Sequence, residues 1–171
     1  MWLGLSLFYV GAVLCLNGLW MLGRIEDREI WVINIFSGVV SLCIGLFSIF
    51  GAGADAFSVK NGALTLLFAF TYLWVAINRF SGADGRGLGW FSLFIAITAV
   101  PVALETFAGA QSTLDWWMGL NWAAWAVLWG LFFVLLALQR PIGRATGVLC
   151  IVQGVLTGWL PGYLLLTGRL L

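Results

Sequence analysis

Residues 116–138, WWMGLNWAAWAVLWGLFFVLLAL, form a run of 23 residues without a charge. At a rise of 1.5 Å per residue, a helix of this length crosses about 30 Å of hydrocarbon, so the run predicts a membrane span. Trp122, Trp125 and Trp129 share one face of that helix near its middle. Because hydrocarbon cannot satisfy an indole N–H, this face is expected to meet protein or a polar pathway, not lipid.

The rest of the chain has the composition of a membrane protein. Of its 171 residues, 63% are hydrophobic and 9% are charged, whereas soluble domains carry about 25% charged residues. This length leaves no room for a separate soluble domain, so residues 1–171 are expected to form one membrane domain. The N-terminal segment lacks a basic start and a small-residue cleavage site, and it is interpreted as a retained helix.

Six apolar segments are each long enough to span a bilayer, and short polar loops separate them. Helices are the expected form, because barrel strands would give alternating segments about half as long. The sequence predicts an all-α membrane protein with six transmembrane helices at residues 2–23, 29–50, 62–80, 88–107, 116–138 and 143–168.

Basic residues predict the orientation of these helices. The first, third and fifth loops carry most of the positive charge, and they lie on one side of the predicted bundle. The other side carries only Lys60 and Arg169. Since positive charge is retained on the cytoplasmic side, both termini are expected outside the cytoplasm. The arginines of the three predicted cytoplasmic loops and their flanks are Arg24, Arg28, Arg79, Arg86, Arg140 and Arg144.

A weak internal repeat relates the odd-numbered helices. Residues four apart lie on one face of a helix, and each odd helix holds such a pair near its centre. Three helix hairpins around a central axis would bring these pairs together on one line. The pairs are Val10 and Leu14, Phe68 and Tyr72, and Trp125 and Trp129.

Small residues recur every four positions on two helices. Such stripes let helix backbones approach closely, either within a protomer or between protomers, and the sequence favours neither arrangement. The stripes are Ser37, Ser41 and Gly45 on the second helix and Gly154, Gly158 and Gly162 on the last.

Few polar groups lie inside the predicted spans. Glu105 is the one acid within an apolar segment, and near the outer end of its helix a structural or vestibule role outweighs a proton relay. Asn17, Asn34 and Asn78 are expected to form hydrogen bonds between helices. Gln153 lies closer to mid-span and is the best candidate for a polar pore residue.

The residues that carry catalysis or bind metals are missing or scattered. The chain has no histidine, and Cys15, Cys43 and Cys150 lie far apart in apolar segments, which favours buried packing. No enzyme activity, cofactor, metal or nucleic-acid partner is expected. A pathway lined by indole and phenol faces suits small neutral planar molecules such as urea and short amides, because ions would lose their hydration without replacement.

Five runs resemble the AmiS/UreI family of urea and short-chain amide channels: LFYVGAVLCLNG, LLFAFTYLWVAIN, WFSLFIAITAVP, WAAWAVLWGLFF and QGVLTGWLPGYLL. The resemblance implies a homohexamer in the inner membrane of a bacterium, surrounded by membrane lipids, in which each protomer holds its own pore. Matched by motif, the pore-lining residues would be Leu7, Val10, Leu14, Phe68, Tyr72, Trp122, Trp125, Leu128 and Trp129.

Two departures from acid-activated members favour the amide-transporter branch. Those members carry a long first external loop with histidine, whereas the corresponding loop here, Gly51–Asn61, is short and has none. Those members also carry a glutamate at the position where this chain has Gln153. The sequence therefore predicts a passive channel for acetamide-like amides and urea that is not acid-gated. An accessory membrane subunit without a pore and an energy-coupled exporter are the alternatives, although the exporter lacks a membrane-embedded acid.

Overall fold

The computed structural model describes residues 1–170, and within them six helices are long and apolar enough to cross a membrane. This confirms the all-α membrane fold, and the protein is a multi-pass membrane protein. The helices are α1 Trp2–Met21, α2 Ile30–Phe50, α3 Ala56–Ser81, α4 Arg86–Ala108, α5 Thr113–Ala137 and α6 Gly143–Leu166.

The helices α3 and α5 begin at Ala56 and Thr113, earlier than their apolar segments predict, because hydrogen bonds at their first turns stabilise polar residues in helical conformation. At the start of α3, the Ser58 N–H donates to Asp55 Oδ1 at 2.8 Å, and the Asp55 N–H donates to Ser58 Oγ at 2.8 Å. Ser112 and Asp115 form the same reciprocal pair at the start of α5. As a result Lys60 and Asn61 lie on α3 and not in the preceding loop.

The same hydrogen bonds act on the carboxyl group of Asp55. The backbone N–H of Ser58, and then its hydroxyl, stabilise the charged form and hold the pKa of Asp55 below its ordinary value. This carboxylate therefore stays ionised at neutral and mildly acidic pH.

The six helices pack as three close antiparallel pairs: α2 with α3, α4 with α5, and α6 with α1. The loops within the first two pairs lie at the end of the bundle that carries Lys60, which we call the Lys60 end. The other three loops lie at the arginine-rich end, with Arg24, Arg28 and Arg140. The third pair is made from the first and last helices, so no loop joins its members. One core cluster in the middle receives side chains from α1, α3, α4, α5 and α6.

The glycine stripe of the last helix packs within the protomer, against α1. A Cβ on Gly154 would lie 2.7 Å from Cys15 Sγ and 2.8 Å from its backbone nitrogen. A Cβ on Gly162 would lie 2.8 Å from the Cα of Phe8. These distances leave no space for a methyl group, so the absence of side chains lets the two backbones touch.

The stripe on α2 is also internal. Ser37 and Ser41 are fully buried, and Ser37 Oγ donates to the carbonyl of Tyr9 on α1 at 3.3 Å. A Cβ added to Gly45 would lie 2.8 Å from the Leu66 side chain on α3. The choice that the sequence left open is thus decided in favour of packing inside the protomer for both stripes.

The three cysteines differ in exposure. Cys150 is fully buried and Cys15 is partly buried, as a packing role requires. The expectation of burial is wrong for Cys43, which is exposed on the outer face of α2. Apolar segments of membrane helices contain both lipid-facing and protein-facing positions, so an apolar neighbourhood in the sequence does not predict burial.

The packing of α6 on α1 predicts a difference between two glycine substitutions. Gly154→Ala should lower the free energy of unfolding by about 1–3 kcal/mol, because the added methyl group overpacks the contact with Cys15. The matched control is Gly130→Ala on α5, where an added Cβ would have no packing neighbour within 4 Å among the described residues. That change should be neutral or stabilise the helix by about 0.5–1 kcal/mol. Thermal unfolding in detergent measures both, and equal effects at the two sites would contradict the packing described here.

Candidate functional site

Two cavities enter the bundle from opposite ends. The cavity at the Lys60 end has a volume of about 700 Å³, and the cavity toward the arginine-rich end has a volume of about 110 Å³. Phe68 of α3 and Trp125 of α5 line both of them. These two side chains therefore lie where the cavities approach each other, near the middle of the spans.

Four aromatic side chains separate the cavities, and we call Phe68, Trp122, Trp125 and Trp129 the aromatic partition. The Phe68 ring centroid lies 5.9 Å from Trp122, 4.9 Å from Trp125 and 4.8 Å from Trp129. All three contacts are edge-to-face, with angles between ring planes of 65°, 80° and 62°. Edge-to-face contacts are the favoured geometry of aromatic pairs, so the four rings stabilise one another.

The predicted pore residues, apart from Gln153, all line one or both cavities. Around the aromatic partition the cavity at the Lys60 end is lined by Leu7 and Val10 of α1. Toward the arginine-rich end the lining residues are Leu14, Tyr72 and Leu128. The three central pairs predicted from their four-residue spacing thus come together in one cluster of buried side chains.

Gln153 has a different environment from the other predicted residues. Its side chain is buried on α6, and Nε2 donates to the backbone carbonyl of Ala124 on α5 at 2.9 Å. Its Oε1 atom is buried without a hydrogen-bond partner among the described residues. The structure therefore places this amide between α5 and α6, beside the aromatic partition and outside the lining of the two cavities.

A π-helical segment of α6, Gly154–Trp159, receives hydrogen bonds from the side chains of α5. Trp117 Nε1 donates to the carbonyl of Leu156 at 3.0 Å, and Asn121 Nδ2 donates to the carbonyl of Thr157 at 3.0 Å. Trp125 Nε1 donates to Thr157 Oγ1 at 2.9 Å. Donors four residues apart on one face of α5 thus attach this helix to α6 and fix the position of Trp125.

Sequence reasoning missed Asn121 and Thr157. A signal for them is present, because Pro161 lies four residues after Thr157 and cannot donate a backbone N–H to its carbonyl. A buried carbonyl without its helical partner needs another donor, and Asn121 supplies it. Which donor would do so depends on the neighbouring helix, which the sequence does not identify.

The mouth at the Lys60 end is polar. Lys60 Nζ and Glu105 Oε2 lie 2.5 Å apart, and both side chains are more than half exposed. Both line the larger cavity, together with the polar side chains Ser6, Asn61, Thr65, Thr106 and Asp115. Glu105 therefore lies at the mouth, as expected for a vestibule residue, and it is paired with a cation from the neighbouring helix.

The mouth at the arginine-rich end is held by a small cluster of Trp20, Asp27 and Arg79. The guanidinium carbon of Arg79 lies 5.0 Å from the centroid of the Trp20 ring, a cation–π contact. Asp27 accepts from Trp20 Nε1 at 2.5 Å and lies 3.6 Å from the Arg79 guanidinium. Asn17 and Asn78 line the cavity just inside this cluster, and Asn17 exchanges hydrogen bonds with Asn34 at 3.1 and 2.6 Å.

Among residues 1–170 the site therefore has charged groups at both mouths and none in its centre. The buried cluster around the aromatic partition contains hydrophobic and aromatic side chains. An ion in this region would lose hydration without ligands to replace it, whereas a small neutral molecule would lose only a few hydrogen bonds. Within residues 1–170 no three His, Cys, Asp or Glu side chains are grouped to hold a metal ion.

Comparison with known proteins gives one consistent family. Residues 2–169 match the AmiS/UreI family of transporters. The chain is 42% identical over 167 residues to a Mycolicibacterium smegmatis protein whose name describes a transporter of amidate substrates; this covers 97% of the chain and 77% of the relative. It is 35% identical over 189 residues to the acid-activated urea channel of Helicobacter pylori, with 95% and 96% coverage.

The fold is also similar to a solved structure. The urea channel of Helicobacter pylori in its closed state, determined by cryo-electron microscopy, superimposes with a TM-score of 0.89 at 35% identity. The superposition covers 99% of this chain and 100% of that one, so the similarity extends over the whole six-helix bundle.

Proposed function

Because the chain belongs to the AmiS/UreI family of transporters, we propose that it is a passive channel through which small neutral amides and urea cross the membrane. The observation that carries the proposal is the arrangement of two cavities on one path, separated by an uncharged aromatic partition. The relatives named for amidate substrates and for urea support the same class of solute.

The chemistry of the partition suits this class. Urea and short amides are flat and uncharged, so they can pass between ring faces while giving up part of their hydration. Tyr72 lines the smaller cavity and offers a hydroxyl group on the far side of the aromatic partition. The polar mouth at the Lys60 end offers further hydrogen-bonding groups before the solute enters the apolar part of the path.

The placement in the membrane follows from charge. We infer that the arginine-rich end faces the cytoplasm and that both termini lie outside, in the inner membrane of a bacterium. Large apolar side chains cover the outer faces of the helices, including Phe36, Phe47 and Phe94, which are each more than half exposed. Lipid and neighbouring copies in a homohexameric ring would cover these faces, as the family resemblance implies.

Two other functions are disfavoured by specific observations. An accessory subunit without a pore would be expected to have a filled centre, whereas this bundle contains two cavities that nearly meet. An energy-coupled exporter needs a membrane-embedded acid or histidine, and the centre of the described bundle holds neither. The proposed activity involves no chemical step on the solute, so the protein acts as a channel and not as an enzyme.

The first prediction of this function is that the aromatic partition controls flux. In stopped-flow light scattering on proteoliposomes, acetamide and urea should enter much faster than glycerol through the parent protein. Trp125→Ala or Trp129→Ala should change the amide permeability, or the ratio of amide to glycerol permeability, severalfold, because each substitution removes one ring of the aromatic partition. The matched control is Trp116→Ala, since Trp116 lies on the same helix but is 55% exposed.

Size-exclusion chromatography of each variant separates loss of conduction from loss of assembly. If Trp125→Ala and Trp129→Ala assemble and conduct with the parent's selectivity, the path does not run through the partition. If the parent passes neither acetamide nor urea above the rate of empty liposomes, the proposed function is wrong.

The second prediction is that flux does not switch on in acid. Histidine is the usual switch because its pKa lies near 6.5, and the sequence contains none. Asp55 stays charged, since the Ser58 N–H and hydroxyl lower its pKa. Acetamide permeability measured in liposomes at about pH 5 and about pH 8 should therefore differ by less than twofold. A severalfold rise on acidification would contradict the prediction, and its loss in Glu105→Gln would identify the residue responsible.

The third prediction is that transport only dissipates a gradient. No acid or histidine lies in the described centre of the bundle where a coupling ion would bind. Labelled acetamide in cells without amidase should reach the external concentration and go no higher, and an uncoupler should leave that level unchanged. Accumulation above the external concentration that collapses with the uncoupler would instead indicate an energy-coupled carrier.

A further inference from the structure

The indole N–H of Trp125 is already used by the protein. It donates to the hydroxyl oxygen of Thr157 at 2.9 Å, and only 3% of Trp125 and 6% of Thr157 is exposed. No solute in the path can therefore accept a hydrogen bond from this N–H unless the bond to Thr157 breaks.

The direction of the bond is fixed by the other partner of the hydroxyl. Thr157 Oγ1 donates its single proton to the backbone carbonyl of Gln153 at 2.6 Å, so an oxygen lone pair remains for the indole. Asn121 holds the same residue from a second side through the Thr157 carbonyl, which Pro161 leaves without its helical donor. Thr157 is thus anchored at its backbone and at its hydroxyl.

The bond sets the angle of the Trp125 ring in the aromatic partition. The Trp125 ring lies edge-to-face with Phe68 at 4.9 Å and 80°, and edge-to-face with Trp122 at 5.2 Å and 83°. Rotation of the indole away from Thr157 would break these perpendicular contacts. Since Trp125 and Phe68 line both cavities, the same rotation would change the shape of the partition between them.

We propose that Thr157 is a positioning residue that determines specificity, because its hydroxyl holds the Trp125 indole across the path. Thr157 does not line either cavity, so it acts on the solute through Trp125. This inference rests on the proposed function as an amide channel. On this proposal, solutes are selected by the spacing between the fixed rings of the aromatic partition. That spacing admits urea and acetamide readily and discriminates against amides with longer alkyl chains.

The test compares Thr157→Val, which removes the hydroxyl at nearly constant shape, with Thr157→Ser, which keeps it. Permeabilities of acetamide and butyramide are measured in proteoliposomes by stopped-flow light scattering. In Thr157→Val the permeability ratio of acetamide to butyramide should fall severalfold, because the freed indole no longer keeps the gap between the rings of the aromatic partition narrow. Thr157→Ser should keep the ratio within about twofold of the parent, since its hydroxyl can still accept the indole proton.

The matched control is Thr98→Val on α4. Thr98 is partly exposed, and its hydroxyl also donates to the carbonyl four residues earlier, at 2.9 Å, but no tryptophan donates to it in the described structure. This variant should keep the parent's ratio. Ultraviolet resonance Raman difference spectra give an independent readout, and the Thr157→Val spectrum should show the loss of one hydrogen-bonded indole N–H that Thr98→Val retains.

Each outcome decides the proposal. A Thr157→Val protein that loses the indole bond but keeps the parent's permeability ratio would overturn it, and so would a Thr157→Ser protein with the altered ratio of the valine variant. If Thr157→Val does not assemble, Thr157→Ala replaces it, and an unchanged ratio in that variant would likewise refute the proposal. If the parent passes no amide at all, the proposed function fails, whereas the Raman difference still reports whether Thr157 holds the indole.

Discussion

The bundle depends on how buried N–H and carbonyl groups are paired where no water can pair them. In hydrocarbon an unpaired polar group is costly, so every departure from regular helix must be compensated by a neighbouring element. Pro161 creates such a departure in α6, and Asn121 on α5 compensates for it by donating to the freed carbonyl of Thr157. Trp117 donates to the carbonyl of Leu156 in the same segment, and Trp125 donates to the Thr157 hydroxyl. The π-helical segment of α6 therefore fixes the position of Trp125 in the aromatic partition.

Close backbone contact with α1 holds α6 in place from the side opposite α5. Gly154 and Gly162 press against Cys15 and Phe8 of α1, so α6 is held between α1 and α5 at the distance of backbone contact. Because such contacts leave no space for adjustment, the position of α6 is fixed, and with it the acceptors that α5 requires. Glycine packing against α1 and hydrogen bonds from α5 to the π-helical segment thus both help to hold the aromatic partition in the centre of the protomer.

Charges are placed where they cost least and can act on solutes. Lys60 with Glu105 and Arg79 with Asp27 lie at the two mouths, where water remains available. The Lys60–Glu105 pair is exposed and contributes little to stability. The centre between them is apolar and aromatic. A solute therefore passes from a polar mouth to an uncharged constriction, an order that favours small neutral molecules and excludes ions by their hydration.

The sequence by itself determined the number of spans, the family and the residues on the inner faces of α1, α3 and α5. Hydropathy and four-residue spacing are local properties, and in a membrane they suffice to predict helices and the faces that avoid lipid. The tertiary structure alone decided which helices pair, where the small-residue stripes pack, that Cys43 is exposed, and that Gln153 bonds to α5 outside the cavity lining. It also identified Thr157 and Asn121, because a freed carbonyl or a buried indole requires a partner without specifying which distant residue supplies it.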